Sequence, residues 1–340
     1  MVNVTLYTRE NCNLCDETKA DLESLQETRP HQLVEIDIDS DTALSERYGD
    51  SIPVVEVGPY IIHAPISSKD LAMTIGAATD RQEQLEKVGD DLYRKRAQRG
   101  QKMSGGDKFA LWFSSKYMLV FSLILLFYIG IPVLAPTLMK AGATMPATIL
   151  YKMYSPLCHQ FGFRSFFIFG EQPYYPLKES GVAGEGTGLI DFETATGIPN
   201  LADPFSPTRW DARRYVGDEE VGYKIALCER DMSIYGAMLL FALLFWATGY
   251  RIKPLHWAIW LIVGVGFIGL DGFSQLISQF EIPVLSELLP YRESTPFLRI
   301  FTGFLFGFTT AWFGFPYIEE SMKETRQIYL KKKAVIQAQK

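Results

Sequence analysis

The chain has 340 residues, a formal net charge of −6 and a hydrophobic fraction of 48%. This length is enough for two domains. The acidic balance, with no basic stripe interleaved with aromatic residues outside the flanks of the apolar segments, excludes a nucleic-acid partner. Four cysteines are too few for a disulfide scaffold. The first residues carry Arg9, Glu10, Asp16 and Glu17 in place of an apolar segment, so we expect no secretory signal peptide.

Residues 1–80 are charged and predict a soluble α/β domain that begins with a strand at 2–7 and a helix at 16–25. Cys12 lies at the start of this helix. There the unpaired backbone N–H groups and the positive end of the helix dipole stabilise a thiolate. Cys15 follows after two residues, so it can act as the resolving thiol and close a small disulfide with Cys12.

The rest of this head continues the alternation of strands and helices. Pro53 opens the third strand, and because proline cannot donate to a strand ladder, its position indicates a special turn. The remaining elements are expected as strands at 33–38, 51–56 and 60–62 and helices at 43–48 and 68–77, in the order βαβα then ββα.

Two motifs, Tyr-Thr-x-x-x-Cys-x-x-Cys after the first strand and Ile-Pro-Val before the third, are similar to those of a glutaredoxin-like thioredoxin fold. The resemblance covers the whole head. It implies thiol–disulfide exchange by Cys12 and Cys15, and a cis peptide bond at Ile52–Pro53 beside the active cysteine. The chain departs from the family in the Asn-Leu pair between the cysteines, in Asp16, and in lacking the Gly-Gly pair that binds glutathione. A metal half-site or an inert adaptor is the alternative to thiol exchange.

A charged segment at 81–108 precedes the first long apolar run. It contains Arg94, Lys95, Arg96 and Arg99. The segment predicts a solvated helix followed by a flexible joint at 104–107.

Four apolar runs predict an α-helical polytopic membrane domain over residues 109–320. A helix of about 20 apolar residues spans the bilayer core at ~1.5 Å per residue. A short helix at 147–154 is expected at the membrane interface, and a basic tail follows at 321–340. The expected spans, about four in number, are 117–138, 232–250, 257–276 and 300–318.

Basic residues near the ends of the spans set the expected orientation, because they favour the cytoplasmic side. If the chain crosses the membrane four times, all of these basic residues fall on one side. We therefore expect a protein of the cytoplasmic membrane with both termini in the cytoplasm. The loops at 139–231 and 277–298 then lie outside, the longer one as a folded cap. The basic residues are Lys102, Lys108, Lys116, Arg251, Lys253, Lys323, Arg326 and the run 331–333.

This topology brings several polar residues to one level at the outer face, where we predict a site. An acid inside a span is costly unless it is paired, so Asp271 marks that site, with Arg230 or Arg299 as its partner. The predicted set is Cys158, His159, Gln160, Arg164, Cys228, Arg230, Asp231, Asp271, Gln275 and Arg299.

The chemistry of this outer site is left open by the residues. Cys158 and Cys228 face the outside, where a structural or a redox disulfide persists. Together with His159 and Asp271 they also form a donor set for a metal ion such as zinc or copper, or for another cofactor.

Six motifs in order resemble a bacterial and archaeal integral-membrane family of unknown function, over about residues 145–318. They are Cys-His-Gln (158–160), Arg-Ser-Phe (164–166), Cys-x-Arg (228–230), Tyr-Gly (235–236), Asp-Gly-x-x-Gln (271–275) and Arg-x-x-Thr-Gly (299–303). The resemblance implies one shared site and no particular activity. Many members carry a further cysteine where this chain has Asp231, which disfavours a thiolate-rich metal site here.

The sequence supports two hypotheses of different classes. In the first, the protein is a membrane-anchored thiol–disulfide oxidoreductase that acts on protein partners in the cytoplasm. Its catalytic residues are Cys12, Cys15 and Pro53 in the head. The outer site is separate, and there His159 carries protons. A bilayer core of about 30 Å separates the sites, so they work independently or are coupled by a quinone-like carrier. In the second, a non-enzymatic assembly or transport protein docks partners through its head and binds a metal ion or lipid headgroup outside.

Helix packing through Gly303 and Gly307 is the expected route to an oligomer.

Overall fold

The computed structural model describes residues 1–88, 102–184, 186–279 and 291–338, apart from the side chains of Thr42 and Ala43. The chain divides into two compact units. One is Met1–Lys116 with Glu320–Lys340, and the other is Tyr117–Glu319. The predicted linker residues Arg94, Lys95, Arg96 and Arg99, and much of the predicted loop at 277–298, lie outside the described residues.

The first unit contains a four-stranded sheet in the order β2-β1-β3-β4. Strand β1 pairs parallel with β2, whereas the other two pairings are antiparallel. A parallel pair needs a crossover, and the first helix supplies it. This order confirms the predicted thioredoxin-like α/β fold. The elements are β1 (Val2–Thr8), α1 (Asn13–Ser24), β2 (His31–Asp37), α2 (Thr42–Tyr48), β3 (Val54–Val57), β4 (Tyr60–His63) and α3 (Ser68–Val88).

Both faces of this sheet are covered. On one face, Val4 and Leu6 of β1 pack against Leu22 of α1 and Ile75 of α3. On the other face, a second apolar cluster includes Ile36, Tyr48 and Val54. Because both faces are covered, β1 and β3 are buried at most positions, and in β1 this includes the polar Thr5.

Among the described residues, four helices are long and apolar enough to cross a membrane, as predicted. The first begins before the predicted span, because Ser104 and Asp107 cap it. Ser104 N donates to Asp107 Oδ2 at 2.8 Å, and Asp107 N donates to Ser104 Oγ at 3.1 Å. The expected flexible joint at 104–107 is therefore a helix start. The helices are α4 (Gly105–Lys140), α8 (Glu229–Ala247), α9 (Trp257–Ile259) continuing through a π-helical segment (Trp260–Gly266) into α10 (Phe267–Ser278), and α11 (Pro296–Ala338).

The segment between the first two of these helices is folded. It contains the expected short helix, which begins somewhat earlier than predicted, and an antiparallel sheet in the order β5-β7-β6 that the sequence did not predict. Strand β7 is buried at every position before Cys228, and α8 begins at the next residue. The elements are α5 (Thr144–Tyr154), β5 (Ser165–Ile168), α6 (Phe192–Thr196), α7 (Thr208–Arg214), β6 (Gly217–Asp218) and β7 (Gly222–Cys228).

The end of α11 packs on the head within the first unit. Arg326 Nε lies 2.9 Å from Asp41 Oδ2, and Lys323 Nζ lies 2.8 Å from Glu46 Oε2. Val335 packs against the apolar cluster that contains Tyr48. The predicted basic tail at 321–340 is thus helical as far as Ala338.

Gly303 and Gly307 pack against α8 within the second unit. A Cβ atom on Gly307 would lie 2.1 Å from Ile234 O, and one on Gly303 would lie 2.9 Å from Arg230 O. Only glycine allows the two helix backbones to approach this closely. The pair is therefore used inside the chain, which corrects the prediction that it packs an oligomer.

Candidate functional site

The first turn of α1 is built around the sulfur of Cys12. Cys12 is the N-cap residue of this helix and forms a disulfide with Cys15, with the two Cα atoms 5.2 Å apart. The Cys15 N–H donates to Cys12 Sγ at 3.2 Å. In the reduced state this N–H and the helix dipole favour a thiolate on Cys12 over one farther from the helix start.

The two cysteines of the head differ in accessibility. Cys15 is only 1% exposed, whereas Cys12 is partly exposed. Leu14 between them is 57% exposed and offers an apolar contact beside the disulfide. The Ile52–Pro53 peptide bond at the start of β3 is cis, as the resemblance implied. Cys12 presents the more accessible sulfur of the pair.

A second thiol site lies in the other unit, where three separate segments converge. Cys158 follows α5, Cys228 ends β7, and Asp231 is in the first turn of α8. The two sulfur atoms and a carboxylate oxygen of Asp231 all lie within 4.8 Å of one another. Cys228 Sγ donates to Asp231 Oδ2 at 3.1 Å, and both cysteines are free thiols. These three residues are called the thiol cluster below.

The two thiols of the cluster have different acidities. Its interaction with the Cys228 side chain lowers the pKa of Cys158, against the effect of burial. The same interaction, together with burial, raises the pKa of Cys228 well above its ordinary value. Cys158 is therefore the thiol that ionises first.

Gln160 fixes the backbone that carries Cys158. It has a left-handed φ of 54°, and its buried amide donates to Tyr151 O at 3.0 Å and to Ala226 O at 2.8 Å. These bonds tie the Cys158 loop to α5 and β7. The His159 side chain is exposed and stacks on Phe161, with 5.9 Å between ring centroids.

The thiol cluster opens onto a cavity of about 290 Å³. The structure brings to this cavity every predicted outer-site residue except Asp271. They are Cys158, His159, Gln160, Arg164, Cys228, Arg230, Asp231, Gln275 and Arg299, and Leu157 and Phe161 complete the lining.

Asp271 organises one half of the charged surroundings. Its Oδ2 atom lies 2.5 Å from Arg230 Nη2, and its Oδ1 atom lies 2.7 Å from Arg292 Nη2. Ser294 Oγ also donates to it at 2.7 Å. Of the two partners considered for Asp271, the structure selects Arg230.

Glu293, which the sequence reasoning missed, organises the other half. Its side chain is fully buried, and Arg164 donates to its two oxygens from Nε at 2.7 Å and Nη2 at 2.9 Å. Arg299 pairs with Glu293 and, at 3.2 Å, with Glu229 instead of Asp271. Burial opposes ionisation of Glu293, but Arg164 and Arg299 outweigh it and hold the pKa of this carboxyl below its ordinary value. The only sequence signal was an acid close to a predicted span.

Two family matches agree with these two units. Residues 3–76 match the glutaredoxin-like domain (DUF836), and residues 221–313 match the predicted membrane protein family (DUF2085). The chain therefore combines a glutaredoxin-like domain with a DUF2085 domain. No curated protein and no solved structure matches it. The DUF2085 match contains Cys228, Asp231, Asp271 and Glu293, so most of the outer site lies inside it.

A larger cavity of about 450 Å³, which Gln160 also lines, lies in the unit that contains the DUF2085 domain. It is lined in part by Lys224, whose Nζ atom donates to Gln160 O at 2.7 Å and to Arg213 O at 2.6 Å. Burial lowers the pKa of Lys224 to about 7. This lysine, which the sequence reasoning also missed, supports the loop that carries Cys158.

Proposed function

We propose that the protein is a membrane-anchored thiol–disulfide oxidoreductase. The observation that carries this proposal is the Cys12–Cys15 pair at the first turn of α1 in a glutaredoxin-like domain. Cys12 is the attacking thiolate, Cys15 is the resolving thiol, and Pro53 lies at the turn before β3. The four apolar helices anchor this head to a lipid bilayer.

The reaction is a two-step exchange. In the reduced head, the Cys12 thiolate attacks one sulfur of a substrate disulfide and forms a mixed disulfide, and the other substrate sulfur leaves as a thiolate. The Cys15 thiolate then attacks Cys12 Sγ and releases the second substrate thiol. The substrate gains two electrons and two protons, and the head becomes the Cys12–Cys15 disulfide. A dithiol partner returns it to the reduced state by the reverse steps.

The proposed setting is the cytoplasmic membrane, with the glutaredoxin-like domain and both termini in the cytoplasm. Basic residues beside the apolar helices favour this side, and they include Lys108, Arg251 and Lys331. Protein thiols and disulfides of the cytoplasm are then the partners. The thiol cluster is a separate site at the outer face, because a bilayer core of about 30 Å excludes direct exchange with Cys12.

Single cysteine variants of the full-length protein test the proposal in a dithiothreitol-driven insulin reduction assay. Cys12→Ser should abolish the activity. Cys15→Ser should accumulate mixed disulfides at Cys12, because the second attack is missing. Glu23→Gln, an exposed change on the same helix, serves as the matched control and should retain the wild-type rate.

A Cys12→Ser protein with the wild-type rate would contradict this assignment. So would a Cys15→Ser protein that is active but traps no partner. Either result would favour the rival hypothesis, in which the head docks partners without exchanging thiols.

A further inference from the structure

We propose that Cys158, Cys228 and Asp231 bind one thiophilic divalent metal ion of the zinc class. This site belongs to the unit that contains the DUF2085 domain, and the proposal does not depend on thiol exchange by the glutaredoxin-like domain. It assigns a ligand to the part of the chain whose family has no stated activity.

The three donor atoms are already close to the spacing that such an ion requires. With metal–sulfur distances of about 2.3 Å and tetrahedral angles, two sulfur ligands lie about 3.8 Å apart. The three donors lie within 4.8 Å of one another. Shifts of about 1 Å or less would bring them to the coordination distance. Cys228 and Asp231 are separated by two residues at a helix start, a short spacing that suits chelation.

Asp231 is the feature that distinguishes a metal site from a simple disulfide. Two thiols suffice for a disulfide, and a carboxylate next to them opposes their ionisation. Asp271 and Glu293 each pair with two arginines. Asp231 has no ion pair among the described parts of the chain, and its side chain accepts from Cys228 Sγ. Asp231 is therefore a carboxylate that lies beside both thiols and whose negative charge no described basic side chain pairs with.

The cavity in front of the cluster leaves room for a further ligand. All three donor residues line it, and so do His159 and Arg230. Arg230 Nε is buried and has no hydrogen-bond partner among the described residues. A polar occupant of the cavity, such as a metal-bound water, would satisfy this N–H. Three protein ligands and one exchangeable position are typical of reactive zinc sites, whereas four protein ligands are typical of structural ones.

Binding is a proton-releasing exchange. The metal ion replaces the protons of Cys158 and Cys228, which leave to solvent, and Asp231 binds through a carboxylate oxygen. Two thiolates, one carboxylate and a divalent ion carry a net charge of about −1. The positive charges of Arg164 and Arg230, which line the same cavity, favour this negative charge. Thiolate ligands select zinc and related ions over magnesium and calcium, which prefer oxygen.

The test uses Co²⁺ as a spectroscopic probe of the full-length, reduced protein in detergent. We expect one Co²⁺ per chain with a thiolate charge-transfer absorption that Zn²⁺ abolishes by displacement. Cys158→Ser and Cys228→Ser should lose this absorption, and Asp231→Asn should weaken Co²⁺ binding about tenfold or more. The Cys12→Ser/Cys15→Ser double variant should bind like the wild type, which separates this site from the glutaredoxin-like domain.

Folding is controlled by helical circular dichroism and by elution as a single species. Asp231→Asn keeps both thiols and the side-chain size, so it tests coordination even where a cysteine variant is unstable. Absence of Co²⁺ binding by the reduced wild type would overturn the proposal, as would wild-type binding by a folded Cys228→Ser protein. A Cys158–Cys228 disulfide found by mass spectrometry after thiol blocking in intact cells would also overturn it.

Discussion

Glu293→Gln is the sharpest test of how the outer site is held together. Glu293 is fully buried and accepts hydrogen bonds from Arg164, Arg299 and Gln275. Glutamine has nearly the same shape but no charge. Arg299 keeps Glu229 as a partner, whereas Arg164 has no second carboxylate among the described ion pairs. The substitution therefore leaves the half-buried guanidinium of Arg164 without a carboxylate partner among the described residues.

The expected decrease in the free energy of unfolding follows from this unpaired charge. Removing one partner of a buried ion pair costs about 3 to 5 kcal/mol, because the remaining charge keeps its desolvation penalty. Arg164 is 27% exposed on its side chain, which favours the lower end of that range. A loss of about 3 kcal/mol lowers the apparent melting temperature by roughly 6 °C or more in a unit of this size.

Thermal unfolding of the detergent-solubilised protein measures this shift, monitored by labelling of the buried Cys158 thiol. Glu219→Gln provides the matched control, since it removes an exposed acid that pairs with Lys140 in the same unit. We expect no measurable shift for the control. A Glu293→Gln shift no larger than the control shift would refute the idea that Glu293 holds the site together.

Three further predictions rest on individual contacts. Gly307→Leu should prevent the α8–α11 contact and abolish folding of the unit. At Gly314 an added Cβ atom meets no atom within 4 Å, so Gly314→Leu should be tolerated in the same expression and thermal assays. Because the pKa of Lys224 is lowered from 10.5 to about 7 in the folded state, the unfolded state binds more protons between these values, and stability should rise with pH across that window. Lys224→Met should abolish this rise, and a rise that persists in the variant would assign it to another group. Because the pKa of Glu293 is lowered in the folded state, its contribution is present above its ordinary value of 4.5 and is lost as pH falls below it, so acid should lower the melting temperature of the wild type more than that of Glu293→Gln.

Local patterns in the sequence were sufficient to predict most elements of both units. The alternation of strands and helices identified the head, and uncharged runs identified the four long helices. These signals depend only on neighbouring residues. Helix ends were less predictable. The cap formed by Ser104 and Asp107 looked like a flexible joint, because the two glycines between them suggest a break when read alone.

The small sheet in the DUF2085-containing unit could not be read from the sequence for a different reason. Strand β6 has two residues and β5 has four, so neither shows an alternating pattern. Strand β7 is buried along almost its whole length, including Lys224, which an apolar pattern excludes from a core. Its lysine is satisfied by two backbone carbonyls that come from other segments, and only the fold shows them.

The membership of the outer site was predicted better than its pairings. The predicted topology placed the polar residues at the same depth, but depth does not determine which of two arginines pairs with Asp271. The pairing depends on Glu293, because Arg299 forms its ion pair with Glu293 and Arg230 forms its ion pair with Asp271. Glu293 lies outside the predicted spans, where an acid carries no cost that would draw attention to it.

The ion pairs and the thiol cluster have separable roles in this site. Glu293 links Arg164, on the segment after Cys158, to Arg299 on α11, and Asp271 links α10 to Arg230 on α8. These ion pairs between segments hold the thiols in position. Asp231 forms no ion pair among the described residues. Asp231→Asn should therefore weaken Co²⁺ binding without lowering the melting temperature, whereas Glu293→Gln should lower the melting temperature, with Co²⁺ binding lost only as the unit unfolds. If Asp231→Asn destabilised the protein as much as Glu293→Gln does, Asp231 would belong to the supporting network instead of the ligand set.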